Sequence, residues 1–278
     1  MWQRYWNLTA DPFFGPSSSS SFVRTPTHAE AFARLVASIE SGQRLAVLRG
    51  AEGLGKSALL DALVKEMKGP KRRFARISGP VDGLGMFQGV ARALGTRVAP
   101  EASKGTAWRA LGDAIRLIRF QKLQVVVVVD DAQTLENGSD LRDLEYLARI
   151  DPHPETKLTL IVSSREEACI ESLGPGSSDW LLSIRLMPLT RSEVIQYVTE
   201  KLSSSGRSDP AFSPKALNML HDLTGGVPLG LNRLASLGLM AGAARGLEMV
   251  TPDVIEDVAR ECIRGDVGRL GDRFQVVY

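Results

Sequence analysis

The octapeptide Gly50-Ala51-Glu52-Gly53-Leu54-Gly55-Lys56-Ser57 matches the pattern G-x-x-x-x-G-K-S of a Walker A phosphate loop. The apolar run at residues 45–48 before it is typical of a buried parallel strand. Residues 58–67 after it carry apolar side chains at helical spacing. A phosphate loop requires this order of strand, loop and helix, which disfavours the alternative of a glycine-rich surface turn.

Each position of the loop has an expected role toward a nucleoside triphosphate. Gly50, Gly53 and Gly55 permit the unusual dihedral angles and the close backbone approach that a phosphate group needs. Lys56 is predicted to bridge the β- and γ-phosphates and to act in catalysis, and the Ser57 hydroxyl is predicted to bind Mg²⁺. ATP and Mg²⁺ are therefore the expected cofactors. The remaining predicted contacts are backbone groups of Ala51, Glu52, Leu54 and Ala58.

A second motif follows five consecutive valines, residues 125–129, which predict a central strand buried on both faces. Asp130 and Asp131 come directly after them, at the edge of a parallel sheet where ligands bind. We interpret them as a Walker B motif, in which Asp130 holds Mg²⁺ and Asp131 is the catalytic carboxylate that positions the attacking water. The alternative is a pair of helix-capping aspartates, which the upstream phosphate loop disfavours.

Two further segments have candidate polar residues. Residues 158–164 predict another strand whose end lies beside the γ-phosphate, so that Ser163 or Ser164 is expected to contact this group. His28 follows Thr27, the predicted N-cap of a helix in which Glu30 completes a capping box. For His28, a role as a base or phosphate contact competes with the favoured interpretation as a polar residue of the first helical turn.

The sequence predicts an α/β fold, a phosphate-loop αβα sandwich followed by a smaller helical domain. Residues 29–187 form the nucleotide-binding domain, and the all-helical pattern from Pro188 predicts a lid at 188–265 and a tail at 266–278. Residues 1–28 contain aromatic and proline residues that are expected to pack near the nucleotide site. A local basic cluster is either a nucleic-acid contact or, as we favour, a solvated turn and strand edge; its members are Lys68, Lys71, Arg72, Arg73 and Arg76.

Composition narrows the class of protein. The chain has 278 residues, of which 44% are hydrophobic and 24% charged, and this is ordinary globular composition. The net charge of +2 gives no global field that requires nucleic acid or an anionic membrane as partner. Cys169 and Cys262 have no metal-binding spacing. Without an apolar signal-peptide core or a run of about 20 apolar residues, a cytoplasmic protein with no membrane span is expected.

Taken in order, these motifs resemble the AAA+ ATPases of the ExeA type, the general secretion pathway protein A group, to which transposition-helper ATPases are related. The resemblance extends over nearly the whole chain, in Asn7-Leu8 with Asp11-Pro12-Phe13, in the phosphate loop, in Asp130-Asp131-Ala132-Gln133, in Pro188-Leu189 with Glu193, and in Thr224-Gly225-Gly226-Val227-Pro228 with Asn232. It implies a five-stranded parallel sheet, ATP at the junction with the lid, a homo-oligomer, and action on a partner protein. It also implies that Gln133 relays the γ-phosphate state, although a surface helix residue is an equal alternative.

Three departures from the family pattern bear on the mechanism. Asp131 stands where the family has Glu, so its carboxylate is expected to fall short of the attacking water by about 1 Å. Leu229 replaces an Arg that reaches the γ-phosphate, and Arg233, one turn further on, is the candidate substitute. Residues 177–180 lack the family's arginine, which leaves Arg165 and Arg149 as candidates for an arginine finger.

These observations favour an ATP-hydrolysing AAA+ switch that oligomerises and acts on an unknown protein partner. One alternative is a nucleotide-dependent scaffold with impaired hydrolysis, which the three departures motivate. Another is a DNA-binding transposition helper with non-specific DNA as partner, which the basic cluster motivates, although no helix-turn-helix signal supports it.

Overall fold

The computed structural model describes residues 2–14, 22–79, 82–132, 138–150, 158–165 and 181–266. These residues divide into two compact units. The sheet unit comprises His28–Met187, and the helical unit combines Met1–Thr27 with Pro188–Tyr278. The chain therefore leaves the helical unit after its first residues and returns to it at Pro188.

The sheet unit contains five parallel strands, which confirms the predicted sheet. The strands are β1 (Leu45–Arg49), β2 (Arg72–Ser78), β3 (Gln124–Asp130), β4 (Leu158–Ser164) and β5 (Leu181–Arg185). Their spatial order is β2-β3-β4-β1-β5, so β1 lies between β4 and β5, and β4 lies between β3 and β1. Because β-branched residues suit a pleated surface that is covered on both sides, the five valines of β3 are all buried.

The helices described in the chain are α1 (Trp2–Tyr5), α2 (Pro26–Ser41), α3 (Lys56–Met67), α4 (Gly83–Ala93), α5 (Lys104–Phe120), α6 (Gly138–Ala148), α7 (Arg191–Ser204), α8 (Pro214–Thr224), α9 (Pro228–Ala244) and α10 (Pro252–Asp266). Helices α4, α5 and α6 contribute to one apolar core together with Val125, Val127 and Val129 of β3. The alternate residues Val126 and Val128 point to the opposite face and are equally buried.

The predicted start of α2 was wrong. The helix begins at Pro26, so Thr27 lies inside the first turn and is not the N-cap. Proline suits this first position because its fixed φ angle is helical and no N–H is required there. The Thr27 N–H donates a hydrogen bond to Glu193 Oε1 at 2.6 Å, whereas Glu30 forms an ion pair with Arg34. A carboxylate remote in sequence therefore takes the place of the predicted capping box.

The helical unit has its own apolar core, and the N-terminal segment is part of it. Trp6, Leu8, Phe13 and Val23 belong to the same buried cluster as residues of α7, α8, α9 and α10. The Trp6 indole N–H donates to the Leu239 carbonyl oxygen at 2.8 Å. The expected proximity of residues 1–28 to the nucleotide stays a prediction. The serine run at 17–21 lies outside the described residues.

None of the helices in the described part of the chain combines the length and the apolar character that crossing a bilayer requires.

Candidate nucleotide site

The carboxyl ends of β1, β3 and β4 meet at one edge of the sheet. In the strand register, Leu48 of β1 lies beside Ser163 of β4, and Val129 of β3 lies beside Val162 of β4. The phosphate loop follows β1, and the two aspartates of the predicted Walker B motif lie at the end of β3. Strand order therefore brings together segments that are remote in sequence, as expected for a ligand site in an open parallel sheet.

The glycines of the phosphate loop meet two different physical requirements. Gly53 and Gly55 have φ angles of 83° and 90°, in the left-handed region that strains other residues. A Cβ atom at Gly50 would lie 2.8 Å from the Leu186 carbonyl oxygen and 3.0 Å from Leu54 Cδ1. Close packing, and not an unusual dihedral angle, therefore requires glycine at position 50.

Helix α3 begins at Lys56, directly after the loop, with Gly55 as its N-cap. No side chain caps this end of the helix, so its first N–H groups have no capping oxygen as acceptor. Ser57 and Ala58 are exposed there. An uncapped helix N-terminus beside a glycine loop provides hydrogen-bond donors and a favourable dipole for a phosphate group.

The Lys56 side chain is buried within this loop. Its ammonium donates hydrogen bonds to the carbonyl oxygens of Gly50 at 2.7 Å and Ala51 at 2.9 Å. Burial lowers the pKa of Lys56 below its ordinary value, and the negative charges of Asp131 and Asp130 oppose that shift. Lys56, the residue predicted to bind the phosphates, is therefore held by two backbone carbonyl oxygens of the loop. Both aspartates contribute to the electrostatic field at its ammonium.

Ser163 connects the two aspartates. Its hydroxyl donates to Asp130 Oδ1 at 2.5 Å and accepts the Asp131 N–H at 2.9 Å. Since a hydroxyl has only one proton to donate, this proton is committed to Asp130. The predicted contact of Ser163 with the γ-phosphate stays a prediction, and the observed contacts of the side chain are with the Asp130 carboxylate and the Asp131 backbone.

Asp131 has a φ angle of 61°, in the left-handed region. Aspartate tolerates this region better than most residues, because its short polar side chain adds little steric cost and can bond locally. The backbone turns at this position immediately after β3 ends at Asp130. This turn supplies a structural reason for a short side chain where the family pattern has glutamate.

Arg76 is a site residue that the sequence did not indicate. It lies on β2, and its Nη2 atom donates to Asp130 Oδ2 at 3.0 Å. Its Nη1 atom forms an ion pair with Asp61 of α3. The interpretation of the basic cluster as a solvated edge was therefore wrong for this residue. Strand alternation is the signal that could have found it, because Ala75 and Ile77 face the core cluster and Arg76 faces the other side of the sheet.

Two further side chains contact the phosphate loop. His28 is buried, and its Nε2 atom lies 3.0 Å from the Leu54 carbonyl oxygen. His28 lies in the first turn of α2, as the favoured interpretation has it, and this contact places its side chain against the loop. Arg165 pairs with Glu52 at 2.6 Å, and both side chains are about half exposed. The candidate for an arginine finger is thus bound to the phosphate loop of its own chain.

For the remaining predicted residues, a role at this site stays a prediction. Gln133 and residues 177–180 lie outside the described residues. Arg149 forms an ion pair with Glu145, one turn away in sequence. Leu229 and Arg233 are exposed residues of the helical unit, and their roles stay predictions.

The donor set suits the expected cofactors. The Ser57 hydroxyl and the Asp130 carboxylate are hard oxygen ligands of the kind that Mg²⁺ prefers. Ser57 is exposed, whereas both Asp130 oxygens already accept hydrogen bonds, one from Ser163 and one from Arg76. Mg²⁺ therefore fits these residues, provided that it displaces Arg76 or binds through water.

Residues 39–168 match the family model described as AAA domain. The chain is 26% identical over 269 residues to general secretion pathway protein A of Aeromonas hydrophila. This match covers 94% of the chain and 48% of the relative, so the chain spans about half the length of that protein. The resemblance inferred from the motifs is thereby confirmed.

Solved structures show the same fold. Cdc6p of Pyrobaculum aerophilum has a TM-score of 0.71 at 20% identity and is covered for 71% of its length by 91% of this chain. The Aeropyrum pernix ORC1 protein, solved in complex with DNA, has a TM-score of 0.72 at 16% identity, with 92% of this chain and 69% of that chain covered. At these identities the similarity concerns the fold alone. The chain thus has a five-stranded parallel sheet with flanking helices, matches the AAA domain model over residues 39–168, and is similar over nearly all of its length to general secretion pathway protein A.

Proposed function

We propose that the chain binds and hydrolyses ATP with Mg²⁺, and that it uses this cycle as a switch on a partner protein or assembly. The arrangement at the sheet edge carries the proposal. A glycine loop and an uncapped helix N-terminus lie there beside Lys56. The negative charges of Asp131 and Asp130 favour the charged form of that lysine. This combination serves phosphate binding and charge neutralisation in one place.

The roles of the chain's own residues follow from their positions. Backbone N–H groups between Gly50 and Ala58 would hold the phosphates, and Lys56 would exchange the carbonyls of the loop for phosphate oxygens. Ser57 and Asp130 would hold Mg²⁺, which when bound neutralises charge on the phosphate oxygens. Asp131 would orient the attacking water and accept its proton. Ser163 would hold the Asp130 carboxylate and the backbone N–H of Asp131 in place.

Several parts of the proposal come from the family alone. They are assembly into a homo-oligomer, an arginine supplied by a neighbouring subunit, sensing by Gln133 and contact of Arg233 with the nucleotide. The cytoplasmic location also stays a prediction from the sequence.

A nucleotide-dependent scaffold with slow hydrolysis is the second candidate. The observation that favours it is the short Asp131 side chain on a left-handed backbone whose N–H is already bound to Ser163. A carboxylate about 1 Å too far from the water lowers the rate about a hundredfold. This candidate predicts tight nucleotide binding with turnover near background.

The DNA-binding alternative has weaker support in this chain. One solved structure of the same fold is an ORC1 protein in complex with DNA. Within the basic cluster, however, Arg76 pairs with the Asp130 carboxylate, so the charge of this member is already compensated within the chain. Failure of ATP-loaded protein to bind duplex DNA at low salt would exclude this function.

The deciding experiment measures ATP turnover over a range of protein concentrations. Asp131→Asn and Lys56→Ala are compared with Asp113→Asn, a control that changes an exposed carboxylate of α5. Turnover that rises with concentration and is lost only in the first two variants supports the ATPase switch. Retained binding with background turnover supports the scaffold. Absence of nucleotide binding in the wild-type protein contradicts both.

A further inference from the structure

We propose that Arg76 competes with Mg²⁺ for Asp130 and thereby sets the Mg²⁺ concentration at which the site binds nucleotide tightly. This inference rests on the proposed function of the same site. It concerns a positioning residue, because Arg76 acts on the metal through the carboxylate that both cations share.

The first support is the environment of Asp130. Its side chain is only 2% exposed, and a buried carboxylate requires compensation for lost hydration. Ser163 satisfies Oδ1 at 2.5 Å, and Arg76 satisfies Oδ2 at 3.0 Å. The Ser163 hydroxyl is neutral. Arg76 therefore supplies the positive charge among the described residues that hydrogen-bond to the Asp130 carboxylate.

The second support is the position of the guanidinium relative to the predicted metal ligands. The same Nη2 atom that reaches Asp130 lies 3.5 Å from the Ser57 carbonyl oxygen. Arg76 therefore bridges the two residues whose side chains are predicted to hold Mg²⁺. A divalent cation bound between them would lie within a few ångströms of the guanidinium and would repel it.

The third support is that Arg76 has a second carboxylate partner, Asp61, besides Asp130. Its Nη1 atom pairs with Asp61, whose side chain is 63% exposed. A guanidinium that leaves Asp130 therefore keeps one carboxylate partner at the rim of the site. In addition, Arg76 Nε is buried without a hydrogen-bond partner among the described residues. An unsatisfied donor makes the inward position less favourable and lowers the cost of withdrawal.

The test measures Mg²⁺ dependence of nucleotide binding, with a fluorescent N-methylanthraniloyl derivative of ADP as the probe, so that hydrolysis does not interfere. Arg76→Gln removes the competing charge, and the Mg²⁺ concentration for half-maximal enhancement of probe affinity should fall roughly tenfold. Arg73→Gln is the matched control, because it removes an exposed arginine from the same strand without touching Asp130. Its Mg²⁺ dependence should equal that of the wild-type protein.

A second readout addresses folding of the variant. Without its counter-ion, Asp130 is left uncompensated, so Arg76→Gln should melt at a lower temperature than wild type in Mg²⁺-free buffer and regain the difference when Mg²⁺ and ADP are added. If Arg76→Gln does not fold, Arg76→Lys retains a cation with weaker hydrogen bonding and should shift the Mg²⁺ dependence in the same direction by a smaller factor.

The outcomes separate this inference from the proposed function. Wild-type protein that binds the probe with Mg²⁺ while the Arg76 variants show the same Mg²⁺ dependence as Arg73→Gln would overturn the inference alone. Wild-type protein that does not bind the probe would overturn the proposed function and the inference with it.

Discussion

At the scale of single residues, Gly225 and Gly226 show how neighbouring glycines differ in what they require. Both have left-handed backbone, with φ angles of 57° and 74°. A Cβ atom at Gly225 would contact nothing within 4 Å, whereas one at Gly226 would lie 2.0 Å from the Leu189 carbonyl oxygen. The Gly226 carbonyl also accepts the Leu189 N–H at 2.9 Å. The family motif at this point therefore encodes a close approach of two backbone segments.

This difference predicts unequal costs of substitution by alanine. Gly225→Ala should lower the free energy of unfolding by about 1 kcal/mol, because only the left-handed backbone is penalised. Gly226→Ala should cost more than about 3 kcal/mol, because the backbone of Leu189 must also move. Urea unfolding followed by far-ultraviolet circular dichroism measures both. Equal losses in the two variants would contradict the packing argument.

At the scale of elements, Glu193 stabilises the starts of two helices. It lies in the first turn of α7, where it completes the capping box with Thr190, and its Oε1 atom also accepts the Thr27 N–H in the first turn of α2. Burial raises the pKa of Glu193, but the hydrogen bonds from Thr190 and Thr27 outweigh burial and lower it from 4.5 to about 2. The folded chain therefore stabilises the ionised Glu193 carboxylate more than the unfolded chain does.

A depressed pKa in the folded state gives stability that is present above the unfolded pKa and is lost on acidification. The contribution of Glu193 should be complete above pH 4.5 and should disappear as the pH falls through about 2. Its size at neutral pH is on the order of 3 kcal/mol. Glu193→Gln should remove most of it at pH 7 and much less at a pH of about 3.

Chemical unfolding at the two pH values measures this effect, with Glu200→Gln as the control on the exposed face of α7. The control should change the free energy of unfolding by less than about 0.5 kcal/mol at either pH. A loss in Glu193→Gln that is the same at both pH values would show that the carboxylate charge is not the cause.

At the scale of the whole molecule, the N-terminus completes a core built mainly by the C-terminal third of the chain. Trp6 is 1% exposed, and its ring packs against Gly242, where a Cβ atom would lie 3.0 Å from the indole. Arg207 lies over the ring at 5.2 Å and donates to the Trp6 carbonyl oxygen at 3.0 Å. The helical unit is thus assembled from the two ends of the described chain.

Truncation of this side chain should affect stability strongly. Trp6→Ala should lower the free energy of unfolding by about 3–5 kcal/mol, because it leaves a large cavity. Trp6→Phe should lower the free energy of unfolding by less, because it keeps an aromatic ring in the core. Its remaining cost comes from a smaller cavity and from loss of the hydrogen bond to the Leu239 carbonyl oxygen. Tyr5→Phe is the control, because its hydroxyl bonds to Leu247 at the exposed surface. Guanidinium unfolding that shows Trp6→Ala as stable as this control would contradict the role of the segment.

Local patterns in the sequence were sufficient to predict the strands, and they carry the interpretation of residues 50–57 as a phosphate loop and of Asp130 and Asp131 as a Walker B motif. The five valines of β3, the glycines of the loop and the change to helical periodicity at Pro188 each specify their structure through neighbours in the chain. Backbone sterics and burial of alternate side chains act over a few residues, so periodicity and turn chemistry identify them. The same patterns could not identify partners that are distant in sequence.

Those partners were decided by the tertiary structure. Arg76 and Ser163 reach Asp130 only because β2 and β4 flank β3, and an order of strands results from the packing of all the crossover helices together. Glu193 meets Thr27, and Trp6 meets Leu239, for the same reason. The proposed phosphate contacts of the glycine loop could thus be predicted from the sequence alone, because residues 50–57 are contiguous. The counter-ions that orient this chemistry were determined by the fold, because charges and hydroxyls acquire partners only when burial brings remote segments within 3 Å.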